Sequence, residues 1–278
     1  GDKLGAGDQG IMVGYATDET PERMPLPVLL AQKLCRKLDE SRIPWLKPDG
    51  KAQVTVLYQD DVPVAVSTVV VSVQHDADVS VETIRKTVKE EVICKVIPER
   101  FLRPGTQLLI NPSGRFVLGG PVADTGLTGR KLAVDAYGPV AHIGGGSFSG
   151  KDATKVDRTG AYAARWVAKS LVDAGLARRC EVQIAYAIGR ELPVSVGVET
   201  FGTGVVPDDV LCRAVRRTFD LRPAALIREL KLRCPVYTPL AVYGHFGRTD
   251  INPPWEATEI NKTALLLAAL MCAKECEG

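Results

Sequence analysis

The same order of elements occurs twice along this chain, and that repetition restricts the possible folds more than composition does. Leu26 to Arg42 places Leu26, Leu30, Leu34 and Leu38 at helical spacing with lysines and arginines between them, the pattern of an amphipathic helix. Lys51–Tyr58 (KAQVTVLY) then alternates with period two, and Val64–Val73 is a second β-branched run. Asp60, Asp61 and Pro63 separate the two, so the pair reads as a hairpin. Ser80 caps a further helix running to Ile97, with Glu82 in its first turn and Val81, Ile84, Val88 and Val92 on one face. The order returns as a helix at Val156–Gly175, strands at Cys180–Ile188 and Leu192–Thr200 around Gly189, and a helix at Pro207–Phe219. Helix to hairpin spans about 25 residues in one copy and about 23 in the other, and hairpin to second helix about 29 and about 28. The expected class is α+β, with repeated units of mainly antiparallel sheet plus helices. The expected division is a unit over 1–117 and a unit over 118–278. Helix–hairpin–helix is also a common order, so coincidence competes with a true repeat until other residues are considered.

At 278 residues the chain can bury two such cores without disulfide or metal staples. Its balance of 35 − 33 = +2 is too small for a general nucleic-acid or membrane-surface binder, so any anionic partner must meet a local cluster. No apolar run approaches the ~20 residues that span a bilayer, and Leu265–Met271 is the best stretch. The opening Gly1, Asp2, Lys3 has no leader pattern, so a cytoplasmic protein is expected. Seven scattered cysteines without a CxxC pair read as free thiols. Cys94 and Cys212 fall on helices and are expected in the core. His75, His142 and His245 lack ligand-like spacing, which argues against a histidine-based metal site.

Between the two copies, 111–157 concentrates glycine in GRFVLGGP, GLTGRK and GGGSFSGKD. Interleaved Asp, Arg and Lys distinguish it from a Gly/Ser linker and point to a binding surface. Gly145 to Gly150 satisfies GxxxxGK, but Asp152 stands where a P-loop needs a magnesium-binding hydroxyl, and no parallel βαβ context surrounds it, so an ordinary P-loop NTPase is disfavoured. Arg130, Lys131, Lys151 and Lys155 together suit a polyphosphate. Asp124 and Asp157 among them would repel a bare phosphate but suit Mg²⁺ bridging to one. A solvated mixed-charge loop is the competing reading. Asp8 in GAGDQG is either a turn former or a ligand for a substrate ammonium. Lys51 in PDGK fits an exposed turn, and YGHFGR (Tyr243–Arg248) fits a packed corner equally well.

Taken together, GAGDQGIMVGY, GRFVLGGP with Asp124, TGRK, GGGSFSGKD followed by KVDR, YAARWVAK, AYAIG, FDLRP and YGHFGR resemble the S-adenosylmethionine synthetase (methionine adenosyltransferase) family, from Gly5 to Trp255. The resemblance implies three similar α+β units about a pseudo-threefold axis, of which two are visible here. The family's His-Pro-Asp-Lys segment is absent: His75, His142 and His245 are followed by Asp76, Ile143 and Phe246. The expectation is therefore the central and C-terminal units of a longer enzyme. Implied substrates are ATP and L-methionine, implied cofactors Mg²⁺ and K⁺, and the implied assembly a homodimer or dimer of dimers with active sites between subunits.

Carried over position by position, the resemblance makes Asp8 an acid near methionine and Asp49 with Lys51 an ATP-contacting pair. Arg115 and Phe116 become adenine and ribose contacts, and Asp124 a contact shared by methionine and adenosine. Arg130, Lys131 and Lys151 become triphosphate binders, with Lys51, Arg130 and Lys151 the residues that carry the chemistry. Lys155 becomes a methionine- or phosphate-side lysine and Asp157 a magnesium ligand. Ser147, at the ATP site, stands where alanine is usual in the family. YGPVAHIGGG moves His142 one place earlier than the family pattern, which leaves its role open, and the stretch before Pro44 is shorter than usual. Two other readings are kept. One is a non-catalytic chain that retains the fold and nucleotide contacts. The other, a general phosphate-binding hydrolase, explains neither GAGDQG nor the repeat.

Overall fold

The computed structural model describes residues 4–277. Its first strand, β1 (Gly10–Thr17), belongs to a compact unit formed by the residues up to Pro25 together with 128–278; residues 26–127 form the other. Contacts thus divide the chain differently from the expected 1–117 and 118–278. The reason is hydrogen bonding: β1 pairs antiparallel with a strand near residue 180, Gly10 opposite Tyr186 and Thr17 opposite Arg179.

In the unit of 26–127, α1 (Leu26–Glu40) buries Leu26, Leu30, Leu34 and Leu38 as its periodicity predicts, and Leu29 with them. β2 (Leu46–Gln59) and β3 (Val62–His75) form the expected antiparallel hairpin, with Val54 opposite Val69. Its turn places Asp60 and Asp61 at φ of 50° and 61°, the left-handed pair that matches strand twist in a two-residue hairpin. Ser80 caps α2 (Val81–Val88), its Oγ accepting from the Thr83 N–H. The helix expected to run unbroken to Ile97 instead widens into a π turn over Lys89–Ile93 before α3 (Cys94–Val96). Val92 and Ile93 are adjacent apolar residues and both are buried; a wider turn accommodates that better than a regular 3.6-residue one. Cys94 is exposed, contrary to the core position expected for it, because the face after the π turn looks outward; Cys212 is half-buried.

β4 (Leu102–Ile110) joins β3 in parallel, Val71 opposite Ile110. The sheet order is β2-β3-β4. Mainly antiparallel pairing therefore holds, with this one exception. The helices cover the sheet through a core that includes Leu34, Val69, Val71, Ile84 and Val92.

In the other unit, α4 (Leu132–Asp135) precedes the long α5 (Val156–Asp173). β5 (Arg179–Tyr186) and β6 (Ser195–Glu199) make the second hairpin, in the sheet order β1-β5-β6. α6 (Asp208–Thr218), α7 (Pro223–Glu229) and α8 (Glu259–Glu277) follow, with α6 packed on α8. The repeat holds for helix, hairpin and helix, but not for the added strand. That strand lies on the hairpin's second strand in one sheet, in parallel, and on its first strand in the other, antiparallel.

The join between β1 and α5 is unusually close. A Cβ on Gly14 would stand 2.0 Å from the Ala164 carbonyl carbon and 2.3 Å from the Arg165 nitrogen. Helix backbone cannot yield as a side chain can, so Gly14→Ala is expected to cost about 3 kcal/mol, the upper end for overpacking. Urea unfolding measures this; a loss below about 1 kcal/mol would show that the helix retreats freely.

Candidate functional site

The N-terminal glycine stretch and the central glycine loop meet at the start of α5. A Cβ on Gly7 would contact the Thr154 carbonyl oxygen at 3.0 Å, one on Gly144 the Ile11 carbonyl oxygen at 3.3 Å, and one on Gly146 Asp157 Oδ1 at 2.6 Å. These glycines are therefore where two loops and a helix N-terminus press together, which no residue with a side chain permits without displacement. Asp157 lies in the first turn of α5, where the helix dipole favours a carboxylate. Its Oδ2 accepts from Lys151 Nζ at 2.5 Å, and both side chains are partly exposed.

Ile11, Met12, Gly144, Gly146, Phe148 and Asp157 are among the residues lining a cleft of about 30 Å³. That volume holds a water or a small ion rather than a nucleoside. Among the described residues no three His, Cys, Asp or Glu side chains gather as a self-sufficient metal cage. Magnesium commonly takes only one or two carboxylates and completes its shell with water and substrate phosphates. Asp157, with its Oδ1 against the glycine loop, fits that shared form of coordination.

Gly129, at φ of 86°, packs on the Ser149 backbone; a Cβ there would lie 3.3 Å from the Ser149 carbonyl oxygen. This brings the backbone that precedes Arg130 and Lys131 alongside FSGKD. Arg130, Lys131 and Lys155 are exposed, Lys151 and Ser147 partly so. Asp8 is exposed and accepts from the Gln9 N–H at 2.8 Å, a turn role that leaves its other oxygen to solvent. Asp8, Arg130, Lys131, Ser147, Lys151, Lys155 and Asp157 all belong to this unit.

Asp49, Lys51, Arg115, Phe116 and Asp124 belong to the unit of 26–127. Asp49 Oδ2 accepts the Gly120 N–H at 2.8 Å, which ties PDGK to GRFVLGGP. The Phe116 N–H donates to His75 Nε2 at 2.9 Å, and Gln74 Nε2 donates to the Val117 carbonyl at 3.0 Å. Arg115 donates to the Ala77 carbonyl at 3.1 Å. Lys51 is exposed on β2 opposite Ser72, and Asp124 is exposed, its N–H bonded to the Gly120 carbonyl.

Sequence reasoning left the three histidines without roles, and the fold gives partners to His75 and His142. His75 is buried at the end of β3 and, with Nδ1 2.8 Å from the Asp76 carbonyl, presents a bare Nε2 to the GRF backbone. His142 is largely exposed, but its N–H and Nδ1 both meet the buried Glu181 carboxylate, at 2.9 and 3.1 Å. It anchors the shifted glycine loop to β5. The alternation of β5 puts Glu181 on the face opposite Cys180, Val182 and Ile184, so its burial was not legible in the sequence.

Residues 3–116 match the S-adenosylmethionine synthetase central domain, and residues 118–257 match the S-adenosylmethionine synthetase C-terminal domain. Proteins called S-adenosylmethionine synthase in Lacticaseibacillus casei (strain BL23) and Lacticaseibacillus paracasei (strain ATCC 334) are each 58% identical to it over 271 residues. The aligned stretch takes in 96% of this chain and 68% of each relative.

Proposed function

Since this chain belongs to the S-adenosylmethionine synthetase family, a family of transferases, we propose that it binds ATP and L-methionine and forms S-adenosylmethionine by direct displacement. The methionine sulfur attacks C5′ of ATP, the C5′–O bond breaks, and tripolyphosphate departs and is then cleaved to phosphate and pyrophosphate. The observation that carries this reading is the meeting of the two glycine stretches around Asp157 and Lys151.

A polyanionic leaving group is stabilised by fixed cations placed where its charge accumulates. Lys151 is held at that point by Asp157, and Arg130, Lys131 and Lys155 add charge from the neighbouring segments. No covalent nucleophile is required, so the chain needs neither a Ser-His nor a Cys-His pair. Asp157 and the substrate's phosphates would together hold Mg²⁺, which when bound neutralises developing charge on the leaving oxygens. Asp49, Lys51, Arg115 and Phe116 serve the nucleoside and Asp8 the methionine ammonium; Asp124 contacts both. K⁺ dependence, a homodimer or dimer of dimers and a cytoplasmic location belong to the same proposal. No helix of the described residues is long and apolar enough to cross a membrane.

The test is S-adenosylmethionine formation from ATP, methionine, Mg²⁺ and K⁺, run beside calorimetric titration with tripolyphosphate. Arg130→Ala should weaken tripolyphosphate binding about tenfold, the loss expected for one charge-assisted contact. Product formation supports the enzyme reading. Binding without product favours the alternative of a nucleotide-contacting chain that performs no chemistry, and absence of binding would sink both.

A further inference from the structure

A buried row of polar groups reaches the FSGKD loop from below, and its hydrogen directions follow donor by donor. Arg158 is buried and can only donate. Its Nε donates to Tyr162 Oη at 2.9 Å and its Nη1 to the Lys151 carbonyl at 2.8 Å, while its guanidinium lies 4.1 Å from the centre of the Tyr237 ring. Tyr162 Oη therefore accepts from Arg158 and has one proton to place. Its other partner among the described residues is His245 Nδ1, at 2.7 Å. A buried hydroxyl proton without an acceptor is costly, so it goes to Nδ1.

A neutral imidazole that accepts at Nδ1 carries its own proton on Nε2. His245 is neutral: burial, helped by the charges of Arg158 and Arg248, pushes its pKa down to about 3. The ring is clamped edge-on to Phe148, centroids 5.0 Å apart, and its backbone carbonyl accepts from Trp255 Nε1 at 3.0 Å. Its Nε2 faces Ser149 Oγ at 3.4 Å, the longest link of the row. Ser149 then receives a proton from the core, and its own hydroxyl proton has no acceptor among the described residues.

We propose that Ser149 is a further anion-binding residue of this site: its hydroxyl donates to a polyphosphate oxygen beside Lys151, and His245 is the positioning residue that holds the hydroxyl in that donating role. This rests on the reading of the loop as the tripolyphosphate site. A lysine ammonium is a point charge that tolerates many approach directions, whereas a hydroxyl whose acceptor lone pair is already engaged donates along one. The row thus adds direction to a site otherwise built from flexible cations. It also explains a histidine in the YGHFGR corner, where an apolar side chain would fill the same buried space.

The test is a double-mutant cycle read by calorimetric titration of the whole chain with tripolyphosphate and Mg²⁺. Ser149→Ala removes the donor. His245→Asn keeps a side-chain acceptor for Tyr162 but removes Nε2. Each should weaken binding about five- to tenfold, the range for a hydrogen bond to a charged group, and the double variant should be no weaker than Ser149→Ala alone. Multiplicative losses would overturn the coupling. Binding that needs Lys151 but is indifferent to Ser149 would overturn the role of Ser149 while leaving the loop's assignment intact; absence of binding in the unmodified chain would overturn that assignment and this one with it. ¹⁵N NMR of the unmodified chain supplies a readout independent of ligand and variants: His245 should show the Nε2–H tautomer, unprotonated at Nδ1, down to pH 5. The opposite tautomer would overturn the proposal.

Discussion

Replacing Glu256 by alanine should lower the stability of the unit containing residues 128–278 by about 3–5 kcal/mol, the cost of leaving a buried charge without its partner. Arg165 is wholly buried in α5 and all its donors are used. Nε and Nη2 reach the two Glu256 oxygens at 3.0 and 2.9 Å, Nη1 reaches the Tyr15 and Arg23 carbonyls at 2.8 Å each, and Nη2 also reaches the Glu22 carbonyl at 2.8 Å. Burial works against the charge, but the Glu256 carboxylate outweighs it and the guanidinium pKa ends raised. Glu256 Oε1 further accepts the Gly247 N–H at 2.8 Å, so this one carboxylate joins α5 to the YGHFGR corner.

Glu256→Gln keeps an acceptor for Gly247 and loses the charge, so it should fall between the unmodified chain and Glu256→Ala. Thermal and urea unfolding measure all three. A loss under about 1 kcal/mol for Glu256→Ala would mean that water reaches Arg165 and takes over its solvation. Ion pairs such as Arg213 with Asp209 lie on the exposed surface and should be worth well under 1 kcal/mol. Geometry alone does not separate them from Arg165 and Glu256; burial does.

Lys151→Ala carries the largest effect expected on function. Its ammonium is the cation held against Asp157 at the entrance to α5, where the leaving group's charge is proposed to collect. Removing one such preorganised donor typically costs about 10²–10³ in rate; a fall of more than tenfold in S-adenosylmethionine formation is the minimum expected. Tripolyphosphate affinity should fall by about tenfold as well. Stability should change little, because the Lys151–Asp157 pair is partly solvated. A variant that folds and turns over normally would reject the assignment of Lys151, and equal losses in melting temperature and rate would recast it as structural.

The fold was legible where periodicity is strong. The leucine stripe of α1 and the two β-branched runs of the first hairpin lie where their spacing put them, because a residue's face follows from local geometry alone. The cap at Ser80 is equally local. The π turn at Lys89–Ile93 was not legible, since Val92 and Ile93 are compatible with a regular helix until the surrounding core demands both. Cys94 shows the consequence, as a position expected in the core that faces solvent one turn later.

Much of the candidate site could be read in the same way. Glycines with interleaved Lys, Arg and Asp are conspicuous in a chain of near-zero net charge, and the motifs are specific enough to name a family. Roles of the three histidines were not readable. His75 serves the Phe116 N–H and His142 the Glu181 carboxylate, across 41 and 39 residues, while His245 meets Tyr162 across 83. An imidazole can donate, accept or carry charge, and which it does depends on partners that the fold brings to it.

Composition, periodicity and motifs by themselves determined the α+β class, the doubled helix–hairpin–helix plan and the family. Those properties are local: they depend on side-chain type and on spacing within a helix or strand. Tertiary structure decided that β1 pairs with β5 rather than with its sequence neighbours, that Gly14 admits the backbone of α5, that Glu256 neutralises Arg165, and which nitrogen of His245 faces Ser149. Those are long-range matters. A strand edge, a buried charge and a two-faced imidazole are each satisfied by whichever partner the folded chain delivers.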